Sequence, residues 1–338
     1  MNLISKKNLV FLCFLLAIFQ TQFIYSNSRK VLLIGIDGLR SDVVIKAKTP
    51  NLKFLANNGF GTFESYHQDI TMSAPSWISI LSGVYHNKHG VKNNTFSNSH
   101  YSNYPMICNL AKQINPKLKF GMYMEWANFR NNIEQKGWDQ IISGDLAHSN
   151  KTTRECKDWI SNSDLDFYFV YYGECDITGH KTGFSPYNPF YVRSVEHIDK
   201  QIGKIIASLK SRKNYDDEDW LILITTDHGG KMIGHGGLST SERKMIWLAY
   251  SDRIKIKYLP GLDCGNLNLP NNLPMSNCNR TCPIQTDITA TALNHLLYGE
   301  DCYTLDCFNS WNLDGKSWLS DMGLNSCKEN KSSIVCCE

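Results

Sequence analysis

Three short segments of the chain are almost continuously apolar and rich in β-branched or aromatic residues. They are residues 31–36 (VLLIGI), 166–172 (DFYFVYY) and 220–226 (WLILITT). Runs of this length without polar alternation are typical of strands that are buried on both faces of a sheet. The pattern therefore predicts a sheet that is covered on both sides.

A helical pattern separates the second and third of these segments. Apolar residues recur at helical spacing from Val195 to Leu209, while Glu196, Lys200 and Lys204 fall on the opposite face. A strand, a helix and a strand in this order predict a parallel unit of an α/β fold. We expect further helices over residues 43–55 and 106–114.

The composition is that of a compact protein with a large core. Of the 338 residues, 42% are hydrophobic and 20% are charged. The 35 basic and 32 acidic residues nearly balance, and no run of five or more Lys or Arg occurs. We therefore expect no nucleic-acid-binding surface.

Residues 1–26 have the order of a secretory signal peptide: Lys6 and Lys7, an apolar run from Leu9 to Phe19, then polar and small residues. That run is shorter than the about 20 residues that a membrane-spanning helix needs. We expect a secreted product with no membrane span after signal removal. Its net charge is +1, because loss of the two Lys leaves 33 basic residues against 32 acidic ones.

The chain has 12 Cys, which in an exported protein are expected mainly in disulfides. Eight of them fall in the last 75 residues. We expect a single domain over residues 30–320, with a disulfide-stapled C-terminal part over 258–338 rather than a zinc cluster. Loss of Cys13 leaves an odd number, and Cys175 is our candidate for an unpaired thiol. The sequence patterns for N-glycosylation lie at Asn93, Asn150, Asn279 and Asn330.

Each of the three predicted strands is followed by an Asp, and two are also followed by His. A single Asp at a strand end is usually a helix cap, but ligands collect beyond the carboxyl ends of parallel strands, and three such ends coincide here. Carboxylates and imidazoles without Cys suit zinc or a similar cation, and six ligands are enough for two metal ions. The six residues are Asp37, Asp176, His180, Asp227, His228 and His235.

Residues 71–83 (TMSAPSWISILSG) supply hydroxyl groups at the start of a predicted helix. A helix N-terminus presents free N–H groups to an anion, and a metal ion lowers the pKa of a coordinated hydroxyl. The segment is therefore a candidate for a nucleophile. The alternative is plain capping of the helix by Ser73, with Pro75 in its first turn.

Together these segments resemble the alkaline phosphatase superfamily, most closely its type I phosphodiesterase / nucleotide pyrophosphatase branch. The resemblance extends from Val31 to about Trp318 and implies an alkaline-phosphatase-like, doubly wound, mostly parallel sheet with helices on both faces. It is carried, in order, by GIDGLRSDVV, TPNLKFLANNGF, the Ser73 segment with GVYHNKHG, DITGHKTG, TTDHGGKMIGHGG, QTDITATALNHLL and LDGKSW.

The resemblance also implies a role for each candidate residue. Ser73 would be the nucleophile, forming a phosphoseryl intermediate, and the side-chain amide of Asn94 would help to hold a phosphoryl oxygen. Two zinc ions would be bound, one by Asp37, Asp227, His228 and the Ser73 oxygen, the other by Asp176, His180 and His235.

Two positions near the nucleophile depart from this branch. Ser73 stands where Thr is usual, with Thr71 two residues earlier, and Ser76 stands where Asn is common. Ser is chemically equivalent to Thr as a nucleophile. The contacts of Ser76 with the leaving group are expected to differ.

The third His is a further departure. His235 follows His228 by only seven residues, whereas in the branch this His usually lies far downstream. His197 and His295 are weaker substitutes, because both occupy positions typical of ordinary helix residues.

The predicted function is a secreted two-zinc phosphodiesterase or nucleotide pyrophosphatase. One alternative is a sulfatase-like hydrolase with a modified Ser73, because Ser73, Pro75 and Ser76 overlap the segment in which sulfatases form formylglycine. Trp77, however, stands where those enzymes have Arg. The other alternative is a non-catalytic secreted binding protein on the same scaffold.

The expected substrate is a small phosphodiester carrying a nucleotide, a nucleotide sugar or a choline-type lipid head group. A monoester carries an additional negative charge, and no Arg lies within about 25 residues downstream of Ser73 to compensate it. Arg40 is a candidate for this role, although a solvated helix start explains it better. The aromatic residues that could stack on a base are Tyr123, Trp126, Phe129 and Tyr172.

Overall fold

The structure is a computed structural model that describes residues 28–67, 70–257, 282–300 and 303–324. The predicted signal peptide lies outside these residues, as do Asn279 and Asn330. Asn93 and Asn150 are described, and both are exposed.

One sheet of seven strands organises the described residues. The strands are β1 (Ser28–Ile36), β2 (Phe60–Tyr66), β3 (Phe120–Met124), β4 (Gln140–Ser143), β5 (Phe167–Tyr172), β6 (Glu218–Thr226) and β7 (Lys244–Tyr250). Their order is β2-β7-β6-β1-β5-β3-β4. The five strands from β6 to β4 are parallel, and β7 runs antiparallel to both β6 and β2. The sheet is therefore mostly parallel, as predicted.

Helices connect the strands and cover both faces of the sheet. They are α1 (Ser41–Lys46), α2 (Pro50–Asn58), α3 (Ser73–Ser82), α4 (His86–His89), α5 (Ile107–Ile114), α6 (Ala127–Asn132), α7 (Ser149–Asn162), α8 (Glu174–Thr182), α9 (Pro189–Lys210), α10 (Thr240–Arg243), α11 (Asp287–Leu297) and α12 (Leu305–Ser310). A single turn of 3₁₀ helix, Tyr215–Asp217, precedes β6.

The core is divided between the two faces of the central strands. Along β1, Val31 and Leu33 pack into a layer with α3, α5 and α11. The alternate residues Leu32 and Ile34 pack into a second layer with α1, α2, α7 and α9. Both faces of β1 are thus buried, which explains its unbroken apolar sequence. The doubly wound α/β prediction is confirmed.

The helix predicted over residues 43–55 is two helices. α1 ends at Lys46, and α2 begins at Pro50, which occupies its first turn. Proline has no backbone N–H to continue a helix and disfavours helical backbone at Thr49, but it fits the first turn of a new one. The prediction was wrong because apolar spacing alone does not register this break.

Three cysteines in the body of the chain are buried free thiols. Cys175 is one of them, as predicted, but Cys108 and Cys156 are free as well. Burial raises the pKa of each thiol, that of Cys108 to about 12. Thiols of this kind are unreactive core residues. The disulfide-stapled part over 258–338 stays a prediction, because most of its Cys lie outside the described residues.

None of the helices in the described part of the chain is long and apolar enough to cross a membrane.

Candidate active site

The strands β1, β5 and β6 lie side by side and end at the same edge of the sheet. Asp37 follows β1 directly, and Asp227 and His228 follow β6. α8 begins one residue after β5 and places Asp176 and His180 one turn apart. The parallel topology therefore brings together side chains that are up to 191 positions apart in the chain, as Asp37 and His228 are.

The first group of side chains is completely buried. His228 Nε2 lies 3.1 Å from Asp227 Oδ2 and 3.7 Å from Asp37 Oδ1. The Ser73 hydroxyl, in the first turn of α3, lies 3.2 Å from the same nitrogen. One oxygen or nitrogen of each of Asp37, Asp227 and His228 thus faces a common centre, which is the arrangement of a metal site.

The second group adjoins the first and is more open. Asp176 Oδ2 lies 3.4 Å from His180 Nε2, and Asp176 Oδ1 lies 3.6 Å from His235 Nε2. The two histidine nitrogens are 3.1 Å apart. The His235 ring stacks on that of His228 with centroids 3.8 Å apart. The two groups therefore form one continuous site.

Within the described ranges, the hydrogen bonds around the site leave one oxygen of each carboxylate ligand without a partner. Asp37 Oδ1, Asp176 Oδ1 and Asp227 Oδ2 are buried and have no hydrogen-bond partner among the described residues. The other oxygen of Asp227 accepts the backbone N–H groups of Gly38 and His228. Unpartnered buried carboxylate oxygens are costly unless a cation satisfies them. The residues present therefore fit divalent metal ions.

The three histidines are oriented in the same way. Nδ1 of His180 lies 2.8 Å from the Ile233 carbonyl, that of His228 lies 2.7 Å from the Gly229 carbonyl, and that of His235 lies 2.8 Å from the Thr71 carbonyl. A carbonyl can only accept, so the proton sits on Nδ1 and leaves Nε2 as a lone-pair donor. This arrangement orients neutral imidazole as a metal ligand.

The electrostatics without cations are unfavourable. Burial and the nearby charge of Asp176 raise the pKa of Asp37 to about 7, and burial together with Asp37 raises the pKa of Asp227. Burial lowers the pKa of His228 and His235. Asp176 accepts a hydrogen bond from the more exposed His180 and thereby raises the pKa of this histidine to about 9. The buried carboxylates of Asp37 and Asp227 thus lie beside uncharged imidazoles, and divalent cations would supply the positive charge that they lack.

Asp37 is fixed from beneath by two aromatic residues. Its Oδ2 accepts the indole N–H of Trp77 at 3.0 Å and the hydroxyl of Tyr171 at 2.6 Å. The sequence analysis did not find this role for Trp77, and Tyr171 lies within an apolar strand that gave no sign of it. Both aromatic residues orient the free Oδ1 towards His228.

Of the two candidate hydroxyls, only that of Ser73 faces the site. The Thr71 hydroxyl is buried, donates to the Gly237 carbonyl and accepts the Gly236 N–H. Together with the bond from His235 to the Thr71 carbonyl, these contacts hold the loop that carries His235. Thr71 is therefore a support of the site, which the sequence analysis had missed.

Asn94 lies beside the start of α3. Its Oδ1 accepts the backbone N–H of Ala74 at 2.9 Å. This bond fixes which way the amide points, so Nδ2 is the end available to a ligand. Ser76 lies deeper, where its hydroxyl is 2.5 Å from His67 Nε2 and donates to the Met72 carbonyl. Because Ser76 is fully buried, its side chain braces the helix rather than facing the site.

The other sequence candidates lie outside the cluster. His197 is held by Glu174, and His295 lies 2.8 Å from the Asp219 carbonyl, at the start of β6 and thus at the opposite edge of the sheet. The Arg40 guanidinium pairs with Asp42 and donates to the carbonyls of Phe184 and Gly230. Arg40 therefore joins two loops of the site and is not free to hold a phosphate.

The four aromatic candidates separate by burial. Tyr123, Phe129 and Tyr172 are completely buried in the core. Trp126 is partly exposed and packs on Phe96, close to Asn94 in the chain. Trp126 is thus the one of the four that keeps a surface for a ligand.

Gly38 permits the close approach of two ligand-bearing segments. Its φ is +66°, and a Cβ there would lie 2.6 Å from the Asp176 Cα. An L-residue would be strained in this conformation and would push Asp37 and Asp176 apart. The sequence shows that a glycine follows Asp37 at the end of a predicted strand. Only the tertiary structure shows that this glycine leaves room for the backbone of Asp176.

The chain was compared with known families and proteins. A family model described as "Type I phosphodiesterase / nucleotide pyrophosphatase" matches residues 31–236. The human ectonucleotide pyrophosphatase/phosphodiesterase family member 7 is 26% identical over 225 residues, covering 60% of this chain and 48% of the relative. The bis(5'-adenosyl)-triphosphatase of Xenopus laevis is 24% identical over 218 residues, covering 60% and 48%. The chain spans about half the length of these relatives.

Similar solved structures agree on the fold. An inactive variant of murine ectonucleotide pyrophosphatase/phosphodiesterase 5 in complex with AMP has a TM-score of 0.50 at 21% identity, covering 60% of this chain and 57% of that one. A 2-O glycosaminoglycan sulfatase has a TM-score of 0.63 at 12% identity, covering 90% and 76%. At these identities the likeness concerns the fold alone.

Proposed function

The chain belongs to the type I phosphodiesterase / nucleotide pyrophosphatase family, and on this premise we propose that it is a secreted two-zinc hydrolase of phosphodiesters. One observation carries the proposal. Three buried carboxylate oxygens and three imidazole Nε2 atoms converge next to the Ser73 hydroxyl, and the part of the chain that the structure describes offers these oxygens no hydrogen-bond partner. This donor set suits two zinc ions and a nucleophile between them.

The proposed division of the ligands is the one that the sequence analysis predicted. Asp37, Asp227 and His228, with the Ser73 oxygen, would hold one cation. Asp176, His180 and His235 would hold the other. When bound, the cations supply charge that lowers the pKa of a hydroxyl and neutralises phosphoryl oxygens.

Ser73 and Asn94 carry out the steps that belong to the chain itself. Ser73 Oγ attacks phosphorus as the bond to the leaving oxygen breaks, giving a phosphoseryl intermediate and an alcohol. A water molecule then cleaves the Oγ–P bond and restores the Ser73 hydroxyl, so one diester and one water become one monoester and one alcohol. Asn94 Nδ2 donates to a phosphoryl oxygen, since its Oδ1 is already held by Ala74.

A sulfatase remains the alternative that shares this scaffold. At the position where sulfatases carry Arg, Trp77 is buried and donates to Asp37 instead. Trp77 therefore orients Asp37, and it does not place a positive charge near a modified Ser73 as Arg would. An intact-mass measurement of the peptide that contains Ser73 distinguishes the two, because formylglycine lacks two hydrogens.

The substrate class follows from the charges and from the relatives. Arg40 is occupied by Asp42, so the additional charge of a monoester is not compensated by this candidate. Two relatives are named for pyrophosphatase/phosphodiesterase and bis(5'-adenosyl)-triphosphatase activities, which favours nucleotide diesters and anhydrides, with lipid head groups as the other candidates. A panel of ATP, a dinucleotide and glycerophosphocholine, with a nitrophenyl monoester as control, ranks these substrates.

The site of action is proposed from the first residues of the chain. Residues 1–26 would direct export, leaving one catalytic domain over residues 30–320 with a disulfide-stapled part over 258–338. Mass spectrometry of protein collected from a culture medium would give the mature N-terminus. A product retained in cells with its first 26 residues intact would contradict this part of the proposal.

Metal analysis combined with hydrolysis tests the central proposal. The purified protein is expected to contain about two zinc ions per chain and to hydrolyse a bis-nitrophenyl phosphodiester. EDTA should abolish hydrolysis, and added zinc should restore it. A protein that binds zinc but hydrolyses no ester in the panel would instead be the non-catalytic binding protein considered above.

A further inference from the structure

The most exposed apolar side chains of the described residues are concentrated beside the candidate active site. Tyr187 is 86% exposed, Met232 77%, Ile233 65% and Phe190 61%, and each exceeds every other large apolar residue in those ranges. Exposed apolar residues are ordinary when they are scattered. A cluster of the four most exposed ones marks an interaction surface.

The four residues lie on two adjoining segments, which we call the site rim: residues 183–190 and 231–234. The backbone N–H of Phe184 donates to the Met232 carbonyl at 2.6 Å, and the Asn188 side chain donates to the Gly183 carbonyl. The Ile233 carbonyl accepts from His180. The rim is thus built onto the loop that orients a proposed metal ligand, at the open side of the site.

Met232 adopts a backbone conformation that a residue with its side chain seldom takes. Its φ is +54°, in the left-handed region that favours Gly or Asn. It stands in a loop where glycine occupies five of the nine positions from 229 to 237. The chain therefore carries a large apolar side chain into solvent at a position where packing does not require it and the backbone disfavours it.

The charged side chains within the two segments that carry the rim are all basic. Residues 177–195 and 229–241 contain Lys181, Arg193 and Lys231 and no Asp or Glu, and all three cations are exposed. A Tyr, a Phe and aliphatic side chains flanked by cations match a membrane interface, where aromatic and apolar groups enter the head-group region and cations meet anionic lipids.

We propose that the site rim docks the protein on an anionic lipid surface, with Tyr187, Phe190, Met232 and Ile233 entering the head-group region. Docking in this way would turn the open side of the metal site towards the lipid. The binding step stands on the rim alone. Only its consequence, cleavage of phosphodiesters presented at that surface, rests on the proposed function.

Sedimentation with vesicles tests the binding step without any turnover. The probes are vesicles of phosphatidylcholine alone and of phosphatidylcholine with phosphatidylserine, at low and high salt. The full chain should bind the phosphatidylserine vesicles more strongly, and high salt should weaken this binding. The Tyr187→Ser/Phe190→Ser/Met232→Asn variant should lose roughly tenfold or more in vesicle partitioning, with the hydrolysis of a soluble nitrophenyl diester unchanged as a check on its fold.

Two further variants make the test specific. Phe54 is 55% exposed but packs near Tyr250, at the edge of the sheet opposite the site, so Phe54→Ser should bind vesicles as the wild type does. Lys231→Ala/Arg193→Ala should reduce the preference for phosphatidylserine while the apolar residues remain.

Three results would overturn the proposal. The first is a wild-type chain that binds neither kind of vesicle. The second is equal loss of binding in Phe54→Ser and in the triple variant. The third is a wild-type protein that is dimeric and a triple variant that is monomeric, with neither of them binding vesicles. That result would mean that the rim contacts a second copy of the chain.

Discussion

Trp77 donates its indole N–H to Asp37 Oδ2 across 3.0 Å, from a fully buried position in α3, the helix that also carries Ser73. The same helix therefore positions the proposed nucleophile and orients a proposed metal ligand. The second oxygen of Asp37 stays free because Trp77 and Tyr171 hold the first.

Trp77→Phe should weaken zinc binding by about 10- to 100-fold, because removal of a hydrogen bond to a metal ligand has effects of this size. Chelator competition measures the affinity, and excess zinc should largely restore activity. Trp247→Phe is the matched control: Trp247 is buried in the same core, and its indole N–H has no partner within the described ranges. Equal zinc affinity in both variants would mean that the Asp37 contact has no such role.

Ser73→Ala should lower turnover of the diester by at least about a thousandfold, since the nucleophile is lost. Zinc content and thermal unfolding should change little. Ser82 lies at the other end of α3, where its hydroxyl donates to the Ile78 carbonyl, so Ser82→Ala provides the control. A Ser73→Ala enzyme that kept most of its activity would remove Ser73 from the mechanism.

His235→Ala should reduce the zinc content from about two ions per chain towards one, because its Nε2 would leave the more open group. Inductively coupled plasma mass spectrometry gives the stoichiometry. His197→Gln should keep both ions, since His197 is bound by Glu174 instead. Loss of one zinc ion from His197→Gln but not from His235→Ala would make His197 the third ligand.

Asn94→Ala should lower kcat by about 100-fold, because a preorganised donor to a phosphoryl oxygen is lost. Zinc content should remain at the wild-type level, which separates this variant from the ligand variants. Full activity in Asn94→Ala would show that the amide contacts no reacting group.

His89 should make folding stability depend on pH. Burial lowers the pKa of this histidine to about 3, against about 6.5 in the unfolded chain. The unfolded state therefore binds more protons between these values, so stability is full above pH 6.5 and falls as the pH falls. From pH 7 to pH 5 the loss due to His89 should be about 2 kcal/mol.

Urea unfolding of the wild type and of His89→Gln at both pH values isolates this contribution, because other titrating groups are common to the two proteins. His89→Gln loses the contacts with Ser79 and Val91 and should be less stable at pH 7. The difference between the two proteins should shrink by about 2 kcal/mol at pH 5. An unchanged difference would mean that His89 is not held neutral.

The apolar runs were enough to find β1, β5 and β6, since strands buried on both faces need no alternation of polar residues. They did not reveal β3, although it is completely buried, nor β4, which is short and partly exposed, nor β2 and β7, which form the antiparallel side of the sheet. The single helix predicted over residues 43–55 is interrupted before Pro50. Apolar periodicity indicates which face of a helix is buried, but it does not show where the helix ends.

The sequence by itself was enough to name the groups of the candidate site, because carboxylates and imidazoles directly after buried strands have few other uses in such numbers. Their distances, and the supports beneath them, came from the tertiary structure. The contact of Tyr171 with Asp37 joins residues that are 134 positions apart, and that of Thr71 with His235 spans 164. Contacts of this kind depend on how the strands are ordered in the sheet, and no local pattern of residues encodes that order.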